Sequence, residues 1–389
     1  MSVAGFEVSA PGKVILHGEH SVVYGKPAIA GPIGLRTYLT YKRLQSPEVI
    51  LDFASIPFNS SLSLESFNAF LAQFDCHSNL QPLEFLEKMR SADGFPFASF
   101  VTRQPAQDSI KEKFSLGTAL YLLNRILRSE GVESLESGFQ LTLKSVMSIG
   151  AGLGSSAGYG VCVSAGAFLL SKIIKGELEA NFSLEDSPEV LEKISKWAFD
   201  SEIVMHERPS GIDNTICTYG NLIKFKRGKP FESLKLRQQV NILIVDTGVS
   251  RTTAKLVAGV ADLKSRHPGM MDSILDAMGH LVDDVVSILE DDGDRFEELR
   301  TLVSINGNLL RAIGVSHPSL ERIFRLAEES GFSSKLTGAG GGGCALVFLP
   351  QDYESSKEYA ELTQNLTKAG FHWIQTTIGG QGVQFKALE

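Results

Sequence analysis

The chain has 389 residues, 43% of them apolar and 21% charged, with a formal net charge of −8. That length exceeds one ordinary core at roughly 150 residues per domain and predicts two domains, and the composition is that of a globular protein rather than a disordered or membrane-embedded one. The negative balance argues against a general nucleic-acid or anionic-membrane surface, which needs clustered Lys and Arg, so any phosphate bound here is bound locally.

The N-terminus, MSVAGFEVSAPGK, has no basic start, apolar stretch and small-residue cleavage site, and a cytosolic location is expected. Phe6 and Val8 open a strand. In APGKVILHGEHSVVYGKPA, Lys13, His17, Glu19 and His20 crowd between short apolar stretches. A zinc reading of the two histidines lacks the helical HExxH spacing and further ligands, which leaves substrate and phosphate contacts as the other reading. Ile33, Leu35, Thr37, Leu39 and Tyr41 repeat at a strand's period of two. A polar stretch, Asn59 to Ser66, then gives way to helical patterns. Cys76, Cys162, Cys217 and Cys344 are scattered without CxxC spacing and are expected to be reduced core thiols.

Phe139, Leu141 and Leu143 alternate with polar residues just before SIGAGLGSSAG. Strand, glycine turn and helix in that order make a phosphate cradle. Gly150, Gly152 and Gly154 let backbone N–H groups approach an anion, and the helix points its positive end at the same place. Ser155 and Ser156 stand at the helix start, where one hydroxyl can cap the helix and the other can touch a phosphate or a magnesium ion. A plain turn is the bland alternative. Gly152, Gly154 and Ala157 also fit the dinucleotide fingerprint GxGxxA, yet the strand with an acidic end expected about 20 residues on is missing. Walker A and the protein-kinase HRD and DFG elements are absent. The apolar run Val161 to Leu170 stops short of the roughly 20 residues of a membrane span and reads as a buried helix.

Ser187 and Pro188 predict a helix start, with Ser187 as cap, and the helix is expected to run to about Met205. Leu191, Ile194, Ala198 and Met205 share one stripe, and at 100° per residue Glu202 falls inside it. A carboxylate facing the interior needs a cation: a magnesium ion bridging phosphates, or a structural ion pair. In HERPSGIDN, Pro209, Ser210 and Gly211 make a tight turn that fixes Asp213, as a catalytic acid or base or as a cap for the next segment. KFKRGKPFE, around Lys224 to Glu232, is charged and broken by Gly228 and Pro230, and marks a domain boundary: 1–228 and 229–389. Beyond it come the apolar strand Ile242 to Val245, helical patterns, the glycines Gly338 to Gly343 before the run Cys344 to Leu349, and a helix near Ser355 to Ala369. Those glycines mark a close backbone approach or a flexible loop.

APGKVILHGEHSVVYG, then GAGLGSSAG, then KLTGAGGGGCA resemble the three motifs of the GHMP kinases, over nearly the whole chain. GEHSVVYGKPA, Glu202 and His206 with PSGIDN after them, and SRTTAKLVAGV resemble most closely the branch of that family that phosphorylates mevalonate. The resemblance implies an α+β, two-domain fold, with an N-terminal ribosomal protein S5 domain 2-like unit and a C-terminal ferredoxin-like unit. ATP and mevalonate would meet in the cleft, with transfer of the γ-phosphoryl group to a primary alcohol; phosphomevalonate is the alternative acceptor. By resemblance, Gly150, Ala151, Gly152, Leu153, Gly154, Ser155 and Ser156 hold the triphosphate with Ser145 near the nucleotide, and Ser156 and Glu202 ligate Mg2+. Asp213 is then the base and Lys13 its partner and a nucleotide contact, while Glu19, His20 and Thr253 line the substrate pocket. Homodimerisation and feedback inhibition by isoprenoid diphosphates are further family expectations. Two departures stand out. Glu207 and Arg208 bring opposite charges where many members read HGxPSG, and Ser55 stands, in divergent surroundings, where the family carries an asparagine near the adenine. A non-catalytic ligand sensor is the competing class; Lys13, Ser156, Glu202 and Asp213 together speak against it.

Overall fold

A computed structural model describes residues 4–56, 58–73, 80–91, 96–106, 109–147, 152–207, 209–250 and 253–388. Its elements run β1 (Gly5–His17), β2 (Ala28–Arg43), β3 (Glu48–Phe53), β4 (Phe58–Ser63), α1 (Leu64–Gln73), α2 (Pro82–Arg90), α3 (Ile110–Ser129), β5 (Phe139–Ser145), α4 (Ser155–Ile174), α5 (Pro188–His206), α6 (Ile212–Tyr219), β6 (Leu222–Phe225) and β7 (Glu232–Leu234). There follow β8 (Val240–Asp246), α7 (Thr253–Arg266), α8 (Pro268–Leu289), α9 (Phe296–Ala312), α10 (Pro318–Glu329), β9 (Ser334–Leu336), β10 (Cys344–Leu349), α11 (Lys357–Lys368), β11 (His372–Ile378) and β12 (Gln384–Leu388).

The strands form one branched sheet whose spine is β2. β1 runs beside nearly all of it; the first part of β2 pairs β6 and touches β11 at Ile33, and its second part pairs β5. β3 and β5 are parallel and the other pairs antiparallel. The order β4-β3-β5-β2-β11-β8-β10-β9 therefore joins early and late strands through β2, and β12 returns to β1. The boundary expected near residue 228 falls in the turn between β6 and β7.

Alternating side chains divide the core. On β8, Ile242 and Ile244 enter one cluster with α8 and α9, while Leu243 and Val245 enter another with α10 and α11. A strand covered on both faces has to be apolar along its covered length, as β8 is from Ile242 to Val245. A third cluster holds α1 to α5 against β1 to β5. There α4, the run read as a buried helix, is long and apolar enough to cross a membrane, yet 83% of its window is buried inside the protein. Cys162 and Cys217 are buried free thiols, as expected, and Cys344 is buried as well; Cys76 lies outside the described residues.

Two local expectations differ from what forms. The polar stretch from Asn59 includes most of β4, whose inward positions are Phe58, Ser60 and Leu62. A buried serine, donating to the Arg103 carbonyl at 2.7 Å, hid the alternation. Ser187 precedes α5 but makes no cap bond; its hydroxyl donates back to the Ser183 carbonyl at 2.9 Å.

α4 and α5 approach closely at Gly160, where an added Cβ would overlap the Ser201 hydroxyl. The approach sets the spacing between Ser156 on α4 and Glu202 on α5. Gly160→Ala is expected to destabilise the fold by about 1–3 kcal/mol, as overpacking does, with Ser201→Ala recovering much of the loss in a urea titration. No recovery would mean that this contact does not set the spacing.

Candidate active site

β1 is irregular where chemistry begins. Its register against β2 shifts between Pro11 and Gly12, and such a bulge re-aims the side chain that follows it. The next residue is Lys13. Its N–H donates to the Leu153 carbonyl at 2.8 Å, tying the strand to the glycine turn. Gly154 has φ 74° and is the N-cap of α4. A Cβ there would come within 2.8 Å of the Lys13 stem, so glycine answers both to the left-handed backbone and to the close approach. The cap is thus Gly154, and neither serine caps α4, contrary to expectation. Ser155 and Ser156 occupy the first turn, where amides have no partner within the helix. Gly150 and Ala151 lie outside the described residues.

Glu202 and Asp213 converge on the same cleft. The stripe on α5 buries Ile194 and Ala198, and Glu202 with them at 4% exposure. Its Oε1 has no hydrogen-bond partner among the described residues. Burial, with Asp213 adding repulsion, pushes the Glu202 carboxyl up to about 8, against the pull of the Ser156 hydroxyl and Lys13. His206, the last residue of α5, places Nε2 3.0 Å from Ser156 Oγ and 3.9 Å from Glu202 Oε2. Burial lowers its proton affinity. Gly211, at φ 82°, starts α6 and puts Asp213 in the first turn, so Asp213 is not the cap. Its Oδ1 lies 3.1 Å from Lys13 Nζ.

These groups line one cleft of about 670 Å³. Gly152, Gly154, Ser155, Ser156, Lys13, Glu202, His206 and Asp213 stand on its wall with Ser55, Ser145, Glu19, His20, Thr253 and Ala339. Among the described residues no three His, Cys, Asp or Glu side chains cluster tightly enough to hold a metal alone. A hard cation at the orphaned Glu202 oxygen would complete its shell with hydroxyl, water and phosphate oxygens, the usual surroundings of Mg2+. The residues fit that ion.

Each remaining expected residue has a definite place. Ser145, ending β5, accepts from Thr37 Oγ1 at 3.0 Å, and its backbone exchanges hydrogen bonds with the Ser55 hydroxyl at 2.7 and 3.2 Å. Thr253 begins α7 at the cleft. Glu19 reaches the wall, but its carboxylate is committed inward: Oε1 pairs with Lys335 and Oε2 accepts from Asn306 at 3.3 Å. His20 sets Nε2 2.8 Å from the Ala339 carbonyl, while His17 is fully buried with neither ring nitrogen partnered among the described residues. Neither imidazole belongs to a group of three or more His, Cys, Asp or Glu side chains that could hold a metal among the described residues. Glu207 ion-pairs with Arg90 at 3.2 Å; Arg208 lies outside the described residues.

Sequence reasoning missed the apolar end of the cleft, built from Phe53, Ile56, Phe114, Leu143 and Tyr159 with Lys111 at its edge. They come from separate elements and form no motif. It also missed Lys335, though a lysine opening the segment KLTGAG directly before Leu336 was the available signal.

Residues 285–368 match the family model described as GHMP kinases C terminal. The mevalonate kinase of Gibberella zeae is 36% identical over 97% of this chain and 76% of its own length. The human mevalonate kinase is 35% identical over 97% of this chain and 93% of its own. The chain belongs to the mevalonate kinases. Its fold agrees: the Methanococcus jannaschii mevalonate kinase structure superposes with a TM-score of 0.68 at 25% identity, covering 96% of this chain and 98% of that one. The expected α+β GHMP kinase fold is therefore the one formed, and the dehydrogenase alternative left by GxGxxA falls away.

For the metal-free enzyme the pH dependence of stability has a fixed sign. Because Glu202 binds its proton more tightly folded than unfolded, folding takes up a proton between about pH 4.5 and 8. That contribution is complete below pH 4.5 and lost as pH rises through 8. Without nucleotide or metal, Glu202→Gln is expected to melt above the parent at pH 8, with the gap closing toward acid. A parent that melts higher at pH 8 would contradict the assignment.

Proposed function

We propose that this enzyme transfers the γ-phosphoryl group of ATP to the primary hydroxyl of (R)-mevalonate, giving ADP and 5-phosphomevalonate. The observation that carries the reading is the Lys13–Asp213 ion pair, 3.1 Å long, beside the N-terminus of α4 in a single cleft. The acceptor assignment rests on membership of the mevalonate kinases.

The triphosphate lies along the first-turn amides of α4, where free N–H groups and the helix dipole favour negative charge. The nucleobase occupies the apolar end beside Phe53, Phe114 and Tyr159, near Ser55 and Ser145. Asp213 takes the proton of the acceptor hydroxyl on Oδ2, the oxygen Lys13 does not hold. The freed oxygen attacks the γ-phosphorus as its bond to the bridging oxygen breaks, and ADP leaves with that electron pair. Lys13 holds Asp213 in place and offsets charge on the moving phosphoryl group. His206 orients the Ser156 hydroxyl. Mg2+, held by Ser156 and Glu202, would neutralise phosphate charge when bound. With its charge balanced in this way, Glu202 works as a carboxylate at neutral pH. The same proposal includes lobes at 1–228 and 229–389, a homodimer, feedback inhibition by isoprenoid diphosphates and a cytoplasmic location.

Purified protein with ATP, Mg2+ and mevalonate is expected to release ADP, with no comparable release on phosphomevalonate, galactose or homoserine. Turnover of one of those in place of mevalonate would overturn the acceptor. Asp213→Asn is expected to keep nucleotide binding and lose roughly 10²- to 10⁴-fold in turnover, the span of a general base. Turnover near that of the parent would remove Asp213 from the role. Glu202→Gln should raise the Mg2+ concentration needed for half-maximal rate, and an unchanged Mg2+ titration would return Glu202 to a structural part.

A further inference from the structure

Among the described non-glycine residues only His20, Glu207 and Asn221 have positive φ. His20, at φ 60° and ψ −46°, is the middle of a tight turn in which the Ser21 N–H reaches the Glu19 carbonyl at 2.7 Å. Three-residue turns of this hand are rare and strained. Such a residue persists only where its surroundings over-determine it, and strain of this kind gathers at ligand sites. His20 stands on the cleft wall.

The restraints come from the other end of the chain. Glu19, directly before His20, is wholly buried with Lys335, and Asn306 on α9 donates to its second oxygen. Lys335 Nζ makes one more bond, to the Leu336 carbonyl at 2.8 Å. Two residues on, Thr337 Oγ1 accepts from the Ile15 N–H at 3.2 Å and donates to the Ile15 carbonyl at 2.9 Å. Two further on, the Ala339 carbonyl meets the His20 ring. Lys335 on β9, and Thr337 and Ala339 in the turn that follows it, thus hold Glu19, Ile15 and His20 in turn. Ala339 and His20 face the cleft, whereas Lys335 is fully buried and does not line it.

A buried ion pair is weak support for stability, because desolvating two charges opposes their attraction; its better-attested use is to select one arrangement. Among the pairs here Lys335–Glu19 is the one with both side chains at 0% exposure. We propose that Lys335, with Asn306, is a positioning residue for acceptor binding: by holding the Glu19 carboxylate it keeps His20 in its strained turn against Ala339 and so shapes the wall the acceptor meets. Lys335 touches neither substrate. The nucleotide end of the cleft, built on Ser55, Ser145 and the α4 turn, is not held by it. The proposal rests on the mevalonate kinase reading and adds to it which residues set acceptor affinity.

Steady-state kinetics of Lys335→Met and Asn306→Leu, with hydrogen–deuterium exchange of the free enzymes, test this. In both variants the KM for mevalonate is expected to rise about tenfold or more, as small displacements of positioning groups do, with the KM for ATP unchanged. Exchange should quicken at the Ser21 and Val22 amides. Should Lys335→Met fail to fold, Asn306→Leu carries the test alone, since it removes a neutral donor and leaves the ion pair. An unchanged mevalonate KM in a folded variant overturns the proposal, as does an equal rise in both KM values together with a lower melting temperature. Should the parent enzyme fail to turn over mevalonate, the functional reading falls, while the exchange measurement still decides whether Lys335 holds the His20 turn.

Discussion

Lys13 is held at both ends. Its backbone N–H bonds to Leu153 in the glycine turn, and its ammonium pairs with Asp213 at the start of α6. Between them its stem lies against Gly154 so closely that a single methyl group there would collide with it. One side chain thereby fixes the distance between a helix N-terminus able to hold phosphate and the Asp213 carboxylate. The bulge at Pro11 and Gly12 exists on the same strand, immediately before it.

The cleft needs two rigid approaches to keep this geometry. α4 and α5 meet at Gly160 and Ser201, which brings the Ser156 hydroxyl into hydrogen-bond reach of Glu202. The sheet supplies the other approach: β1 and β2 lie side by side, β2 contacts β11, and β12 closes back on β1. The late glycine motif is anchored to early residues through Thr337 and Lys335, so both halves of the chain build the cleft wall at His20 and Ala339.

What could be read from the residues alone was whatever depends on local geometry. The glycine turn, the PSGID turn and the inward face of α5 each follow from a few neighbouring residues, and Glu202 was found because a helix repeats at 100° per residue. Lys13 and Asp213 are 200 positions apart, and resemblance, not spacing, named them as partners. The apolar end of the cleft was illegible for another reason: Phe53, Phe114 and Tyr159 are ordinary core residues, and nothing local distinguishes one that borders a cleft from one that does not. β4 was hidden because Ser60, a polar residue, takes an inward position.

The two buried glutamates make the sharpest contrast in the molecule. Glu19 and Glu202 are about equally withdrawn from water, and burial raises the proton affinity of both. Glu19 has a lysine and an amide on its two oxygens, so its charge is balanced inside the protein. Glu202 keeps one oxygen without a partner among the described residues, next to a second carboxylate that repels it. Burial alone therefore does not set the two carboxylates apart; the unfilled bonding capacity does. A site that binds charge has to leave part of its own charge unbalanced, and folding must supply the stability for that from elsewhere, here from the apolar stripe on α5 on which Glu202 sits.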